Sequence, residues 1–251
     1  MKKLAFPLIA CIVLVSCKQN EKKETAVTTE KVESNTAKTD NPDTEQDKWI
    51  MLFDGSSFDA WRGYLKEDIP DQWTIESDAM AFTPGKNGGS NIITKEKFKN
   101  FELSLEWKIS EGGNSGIFWG VHEDPKFPEA YQTGPEIQVL DDERHPDAKN
   151  GTTHQAGSLY DMIAPSEKVV KPAGEWNTCI IRIDHKNNAG SVTLNGTEIV
   201  KFPVHGPEWN QMVDNSKFKG WEGFGKYPTG HIGLQDHGDK VWYRNIKIKP
   251  L

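Results

Sequence analysis

Within "GPEIQVLDD", Gly134 to Asp142, Glu136 and Gln138 alternate with Ile137 and Val139. The two-residue period of a strand sends the aliphatic pair into a core and the carboxylate and amide to the opposite face. Glu136 and Gln138 are then either solvated residues or the floor of a binding site. Comparable polar groups recur where strands should meet loops: Glu106, Asn114 and Ser115, then His145, His154 and Tyr160, then Gln235, Asp236 and His237, and finally Arg244 and Asn245. In "HIGLQDHG" the same period gives Ile232 and Leu234 to the core, and Gln235 and His237 can join Glu136 on one concave face. His145, His154 and His237 with Glu136 also offer the nitrogen and oxygen ligands that a divalent metal ion accepts, although no H-x-x-x-H or H-E-x-x-H spacing is present. Asp141 follows Leu140 near the end of the stretch, and its carboxylate is expected to organise the following loop. Taken singly, each of these residues also suits an ordinary surface position, and Asn114 and Ser115 suit a turn.

The elements that must hold these groups read as strands separated by Gly, Pro, Asn and Asp turns. "FELSLEWKI" alternates cleanly, with Phe101, Leu103, Leu105, Trp107 and Ile109 on one side. "SGIFWGV" follows after "EGGN", and the pair reads as an antiparallel hairpin. "WTIESDAMAF", "EIQVL", "TCIIRIDH", "SVTLNGTEIVKF", "HIGLQDH" and "VWYRNIKI" are further strand segments, and the turns "NNAG" and "LNG" predict a meander. Many short strands without a long helical period indicate an all-β fold, a jelly-roll β-sandwich of two antiparallel sheets. Two long polar connections, 142–176 and 205–230, interrupt the pattern. The second holds one short helix around Trp209 to Asn215, with Trp209, Met212 and Val213 on its packed side. Long connections in compact domains often wall a site that a rigid sheet supports.

The amino-terminal "MKKLAFPLIACIVLVS" has two lysines and a short apolar run, the layout of a secretory signal over residues 1–16. It ends in "LVSC", so Cys17 is expected to become a lipid-modified first residue. Residues 18–47 contain no aromatic residue, and such a segment cannot bury enough surface to offset its ordering entropy. Residues 17–47 thus read as a lipid-anchored disordered tether with an average reach of about 30 Å, and 48–251 as one cored domain. These features predict a cell-envelope protein, periplasmic or at the cell surface, that meets the membrane through its lipid only. Loss of Lys2 and Lys3 takes the formal charge from −7 to −9. An acidic chain without a basic cluster is not built to coat nucleic acid. Of the three cysteines only Cys179 falls in the cored domain, which rules out an internal disulfide and a cysteine zinc site there. All nine tryptophans lie beyond Lys48, a density that leans towards sugar ligands.

Seven stretches, taken in order, carry a family resemblance: "LFDGSSFDAWRGY", "GNSGIFWGV", "GPEIQVLDDERHPDAKNG", "AGSLYDMIAP", "KPAGEWNTCIIRI", "LNGTEIVKF" and "GHIGLQDHGDKVWYRNIKI". Together they resemble the 3-keto-disaccharide hydrolase domain family over Trp49 to Leu251. The resemblance implies a concanavalin-like β-sandwich on secreted or lipid-anchored bacterial proteins, acting as a hydrolase or lyase on glycosides oxidised at C3. Such a ketone acidifies the C2 proton, so the site needs a base, a group that steadies an enolate and an acid for the leaving oxygen. On that footing Glu136 or His154 is the expected base, and His237 or a bound divalent ion the enolate partner. Asn114, Gln138, Tyr160 and Gln235 are the expected contacts to a carbohydrate substrate. The alternative on the same sandwich is a non-catalytic, lectin-like binding module in which Trp61, Trp119 or Trp221 stacks on a sugar.

Overall fold

A computed structural model describes residues 48–85 and 91–251. The expected signal segment, the tether and Cys17 lie outside the described residues. Two antiparallel sheets face each other. The first sheet contains β1 (Ile50–Phe53), β3 (Trp73–Glu76), β4 (Ala79–Phe82), β6 (Phe101–Ile109), β9 (Asn177–Asp184), β10 (Ala189–Leu194), β11 (Thr197–Phe202) and β13 (Val241–Pro250). Their order is β11-β10-β9-β6-β13-β4-β3, with β1 also pairing to β13. The second sheet runs β2 (Trp61–Gly63), β5 (Ile92–Thr94), β12 (His231–Leu234), β7 (Asn114–Val121) and β8 (Glu136–Leu140). The architecture is the expected all-β sandwich, and the β9-β10-β11 meander follows its two turn signals.

Alternation explains the first sheet well. Along β6 every odd residue from Phe101 to Ile109 is buried and every even one is partly exposed, because one face meets the core and the other meets water. The second sheet differs: β7, β8 and β12 are buried throughout. Their core side carries Ile117, Trp119, Ile137, Val139 and Leu234, while connections 142–176 and 205–230 supply residues that stand over the outer side of the sheet.

Two local expectations change. The β6–β7 hairpin does not form: β6 pairs with β9 and β13, whereas β7 pairs with β8 and β12. Glu111 to Gly113 carries the chain from one layer to the other, and a side chain at Gly113 would collide with Ile109 and Ser110. Local alternation is the same for a strand that pairs with its neighbour and for one that crosses to the facing layer. "WTIESDAMAF" is likewise two strands, β3 and β4, turning at Ser77 in the left-handed region (φ 59°). The short helix forms as α1 (Gly206–Asp214), with Trp209 buried and Met212 and Val213 packed against the core.

Candidate active site

The register of β7 against β8 sets the floor of a cavity. Asn114, Gly116 and Phe118 pair with Leu140, Gln138 and Glu136, and paired residues project to the same side of a sheet. Asn114, Glu136 and Gln138 therefore share one face. Gly116 between them is obligatory for space, since a methyl group there would overlap the Glu136 carboxylate. Beside β7, the Gln235 N–H donates to the Gly116 carbonyl at 3.0 Å just past the end of β12, which aligns Gln235 and then His237 with the same floor. Beneath it, Ser115 on the core side donates to the Gln235 carbonyl and meets the Tyr243 hydroxyl, each at 2.8 Å. The facing sheet thus props the site through a buried tyrosine.

These residues enclose about 320 Å³, within the range of small-ligand pockets. The floor is Asn114, Glu136, Gln138, Gln235 and His237; the walls are Tyr160 from connection 142–176, Lys217, Phe218 and Trp221 from 205–230, and Tyr131. Six of the seven residues expected to act on or bind a substrate thus meet in one place.

His154 is the seventh, and it does not line the cavity. Its Nδ1 lies 2.9 Å from Asp147 Oδ1 and its Nε2 2.9 Å from Asp161 Oδ1. With both nitrogens engaged it cannot serve as the base facing a substrate. It acts instead as a strut, because Asp147 Oδ2 accepts the Tyr160 hydroxyl at 2.9 Å while Asp161 Oδ2 accepts the Lys217 N–H at 2.6 Å. The imidazole so ties the two long connections together through a pair of carboxylates. Gln138 joins the same network, its amide donating to the His154 carbonyl at 3.3 Å.

Electrostatics single out Glu136. It is 7% exposed, and burial pushes its carboxyl up to about 8; Lys217 draws it down, nearby Asp147 pushes it up, and the Gln235 amide favours the ionised form. A carboxyl poised this way can exchange a proton near neutral pH. Burial pulls His237 below the usual imidazole range, partly offset by Asp239, so its ring is neutral at pH 7. Two floor acceptors, Asn114 Oδ1 and Gln235 Oε1, have no hydrogen-bond partner among the described residues. Buried polar atoms are normally paired, and sugar hydroxyls are donors of the right kind.

The possible metal set is not the one predicted. Glu136 and His154 drop out, and the atoms that come within 4.8 Å of one another belong to His145, His237 and Asp239. The Asp147 N–H donates to His145 Nδ1 at 3.1 Å, which puts the proton of the neutral ring on Nε2. A cation there would have to displace that proton, because a ligating nitrogen must be unprotonated. Asp239 is also engaged, accepting the Asn114 N–H at 3.0 Å.

Asp141 braces the loop as expected. Its carboxylate accepts the Gly112 and Glu143 N–H groups at 2.7 and 3.1 Å and pairs with Arg144 at 3.2 Å. Glu106, Arg244 and Asn245 lie on the first sheet, where Arg244 and Asn245 both donate to the Glu106 carboxylate. Trp61 and Trp119, 1% and 3% exposed, belong to the core, whereas Trp221 faces the cavity. Lys217 and Phe218 sit on irregular backbone and Tyr131 in the single 3-10 turn Ala130–Gln132, where no period assigns a face, so none of the three was legible as a site residue. The aromatic-rich run "KFKGWEGF" inside a long connection was the available signal.

Residues 48–249 match the 3-keto-alpha-glucoside-1,2-lyase-like domain family. A Bacteroides thetaiotaomicron protein named 3-keto-disaccharide hydrolase is 37% identical over 293 positions, covering 100% of both chains. Among solved structures, a candidate glycosyl hydrolase from Parabacteroides distasonis superposes with a TM-score of 0.73 at 31% identity, covering 81% of this chain and 94% of its own. A second from the same organism gives 0.62 at 28% identity, covering 82% and 100%. With the family's domain spanning nearly all the described residues and a full-length relative above one third identity, this chain belongs to the 3-keto-alpha-glucoside-1,2-lyase-like family.

Proposed function

We propose that this protein is a carbohydrate-active enzyme that cleaves 3-keto-glycosides by elimination, followed by addition of water. The observation that carries the reading is Glu136: one buried carboxyl, pushed up to about 8, on the floor of a sugar-sized cavity. The name of the Bacteroides thetaiotaomicron relative supports the substrate class. An ordinary glycosidase works with two carboxyl groups across the scissile bond, and Glu136 is the sole carboxylic residue among those lining the cavity. A C3 ketone removes the need for a second.

In the proposed reaction the Glu136 carboxylate takes the C2 proton, and the C–H electron pair moves into a C2–C3 double bond as the C3 carbonyl becomes an enolate. Collapse of the enolate restores the ketone, forms a C1–C2 double bond and expels the C1 oxygen, which takes up a proton. Water then adds, its hydroxyl to C1 and its proton to C2, so the net change is hydrolysis. Asn114 and Gln235 accept from sugar hydroxyls through their unpartnered oxygens, Gln138 and Tyr160 border them, and His237 closes the floor. Trp221 and Tyr131 present aromatic faces to the sugar ring.

Incubation with a 3-keto-glucoside separates this reading from a lectin-like module. The wild-type protein should release the aglycone, and Glu136→Gln should lose about 100-fold or more in kcat while keeping the fold. Binding without consumption by the wild type would identify a binding module instead. The proposal extends to location: a chain lipidated at Cys17 and held at the cell envelope would work on sugars arriving from outside.

A further inference from the structure

Building on the elimination reading, removal of the C2 proton leaves a full negative charge on one oxygen, and that charge needs a fixed counter-charge. Lys217 is the one lysine or arginine among the residues lining the cavity. His237 lies on the floor, where its imidazole can donate a hydrogen bond. The Lys217 ammonium lies 4.0 Å from the Tyr160 ring centroid and 5.3 Å from that of Phe218. No ion pair to a carboxylate holds it among the described residues. Glu136 feels its charge, so its field reaches the base.

The root of this side chain is fixed. Its N–H donates to Asp161 Oδ2 at 2.6 Å, and Asp161, held in the left-handed region at φ 58°, receives His154 on its other oxygen. The strut that steadies Tyr160 therefore also anchors Lys217, and the two rings beneath the ammonium give it a preferred path into the cavity. Lys217 is itself exposed, and a cation at the edge of the cavity acts on charge that develops in the transition state, which an aromatic wall cannot do.

We propose that Lys217 is a catalytic residue, whose ammonium holds the C3 oxyanion of the enolate while Glu136 holds the C2 proton. No bond to lysine forms: the proton goes to Glu136, the electron pair to the C3 oxygen, and the ammonium keeps its own protons.

The test compares wild type, Lys217→Met, Lys217→Arg and Glu136→Gln on a 3-keto-glucoside, measuring kcat, KM and exchange of the C2 hydrogen with deuterated water. Lys217→Met should lose about 100-fold in kcat with KM changed less than about threefold, and Lys217→Arg should recover at least about tenfold of that loss. Exchange should slow in parallel, because enolate formation is the step affected. Three results overturn the role: Lys217→Met within threefold of wild type in kcat, an effect confined to KM, or Lys217→Arg as defective as Lys217→Met. Absence of both turnover and C2 exchange in the wild type would instead remove the elimination reading and this role with it.

Discussion

At the scale of single residues, the account turns on the protonation of Glu136. Its carboxyl is raised from 4.5 to about 8, first by burial, so the free enzyme holds the active, ionised base only at the alkaline end. We expect kcat/KM to rise with pH and level off above about 8, as seen in a pH–rate profile; a limb near 4.5 would show that the base is a solvated carboxylate. The same shift has a sign for stability. Below about 4.5 both folded and unfolded chains bind this proton, and between about 4.5 and 8 only the folded chain keeps it. The stability from this group is therefore fully present below about 4.5, declines through that window, and is gone above about 8. Glu136→Gln should accordingly be more stable than wild type at pH 9, by something on the order of a few kcal/mol, read by denaturant titration at pH 5 and pH 9. Equal stability of the two proteins at pH 9 would contradict the burial of the charge.

At the scale of elements, the site exists because β7 offers Gly116 under the Glu136 carboxylate. Gly116→Ala should cost about 1–3 kcal/mol through overpacking. It should also lower kcat at least about tenfold by moving the carboxylate, with thermal melting and steady-state kinetics as the two readouts. A variant that melts lower yet keeps wild-type kcat would mean that the carboxylate position is not critical. Elements also show what could be read in advance. The two-residue period in "GPEIQVLDD" and "HIGLQDHG" placed Glu136, Gln138, Gln235 and His237 on one face, because a strand fixes side-chain direction whatever surrounds it. Period says nothing about partners between layers, which is why the β6–β7 connection read as a hairpin. His154, expected beside Glu136 as a candidate base, differs for a related reason: in the short 3-10 turn Thr152–His154 residue type is visible in sequence and its neighbours are not. Only the fold brings Asp147 and Asp161 to its two nitrogens.

At the scale of the whole molecule, the two layers divide the work. The first sheet alternates between core and water and supplies Tyr243, whose hydroxyl reaches Ser115 beneath the site. The second is buried on both sides, since long connections stand over it and carry Tyr160, Lys217 and Trp221 to the floor. The sandwich itself was legible from strand number and turn residues, and so were Tyr160 and Trp221 as candidates, while Tyr131, Lys217 and Phe218 joined the cavity wall only with the tertiary structure. If Cys17 carries lipid, the full-length protein should sediment with membranes, and Cys17→Ser should shift it to the soluble fraction. Identical fractionation of both forms would remove the anchor from the account.

The central claim is that Glu136 removes the C2 proton of a 3-keto sugar. It is tested most directly by turning over a 3-keto-glucoside in deuterated water and locating deuterium in the released sugar by NMR. We predict deuterium at C2 with the wild-type protein and none released by Glu136→Gln above background. Product formed at full rate with its original hydrogen at C2 would contradict the claim.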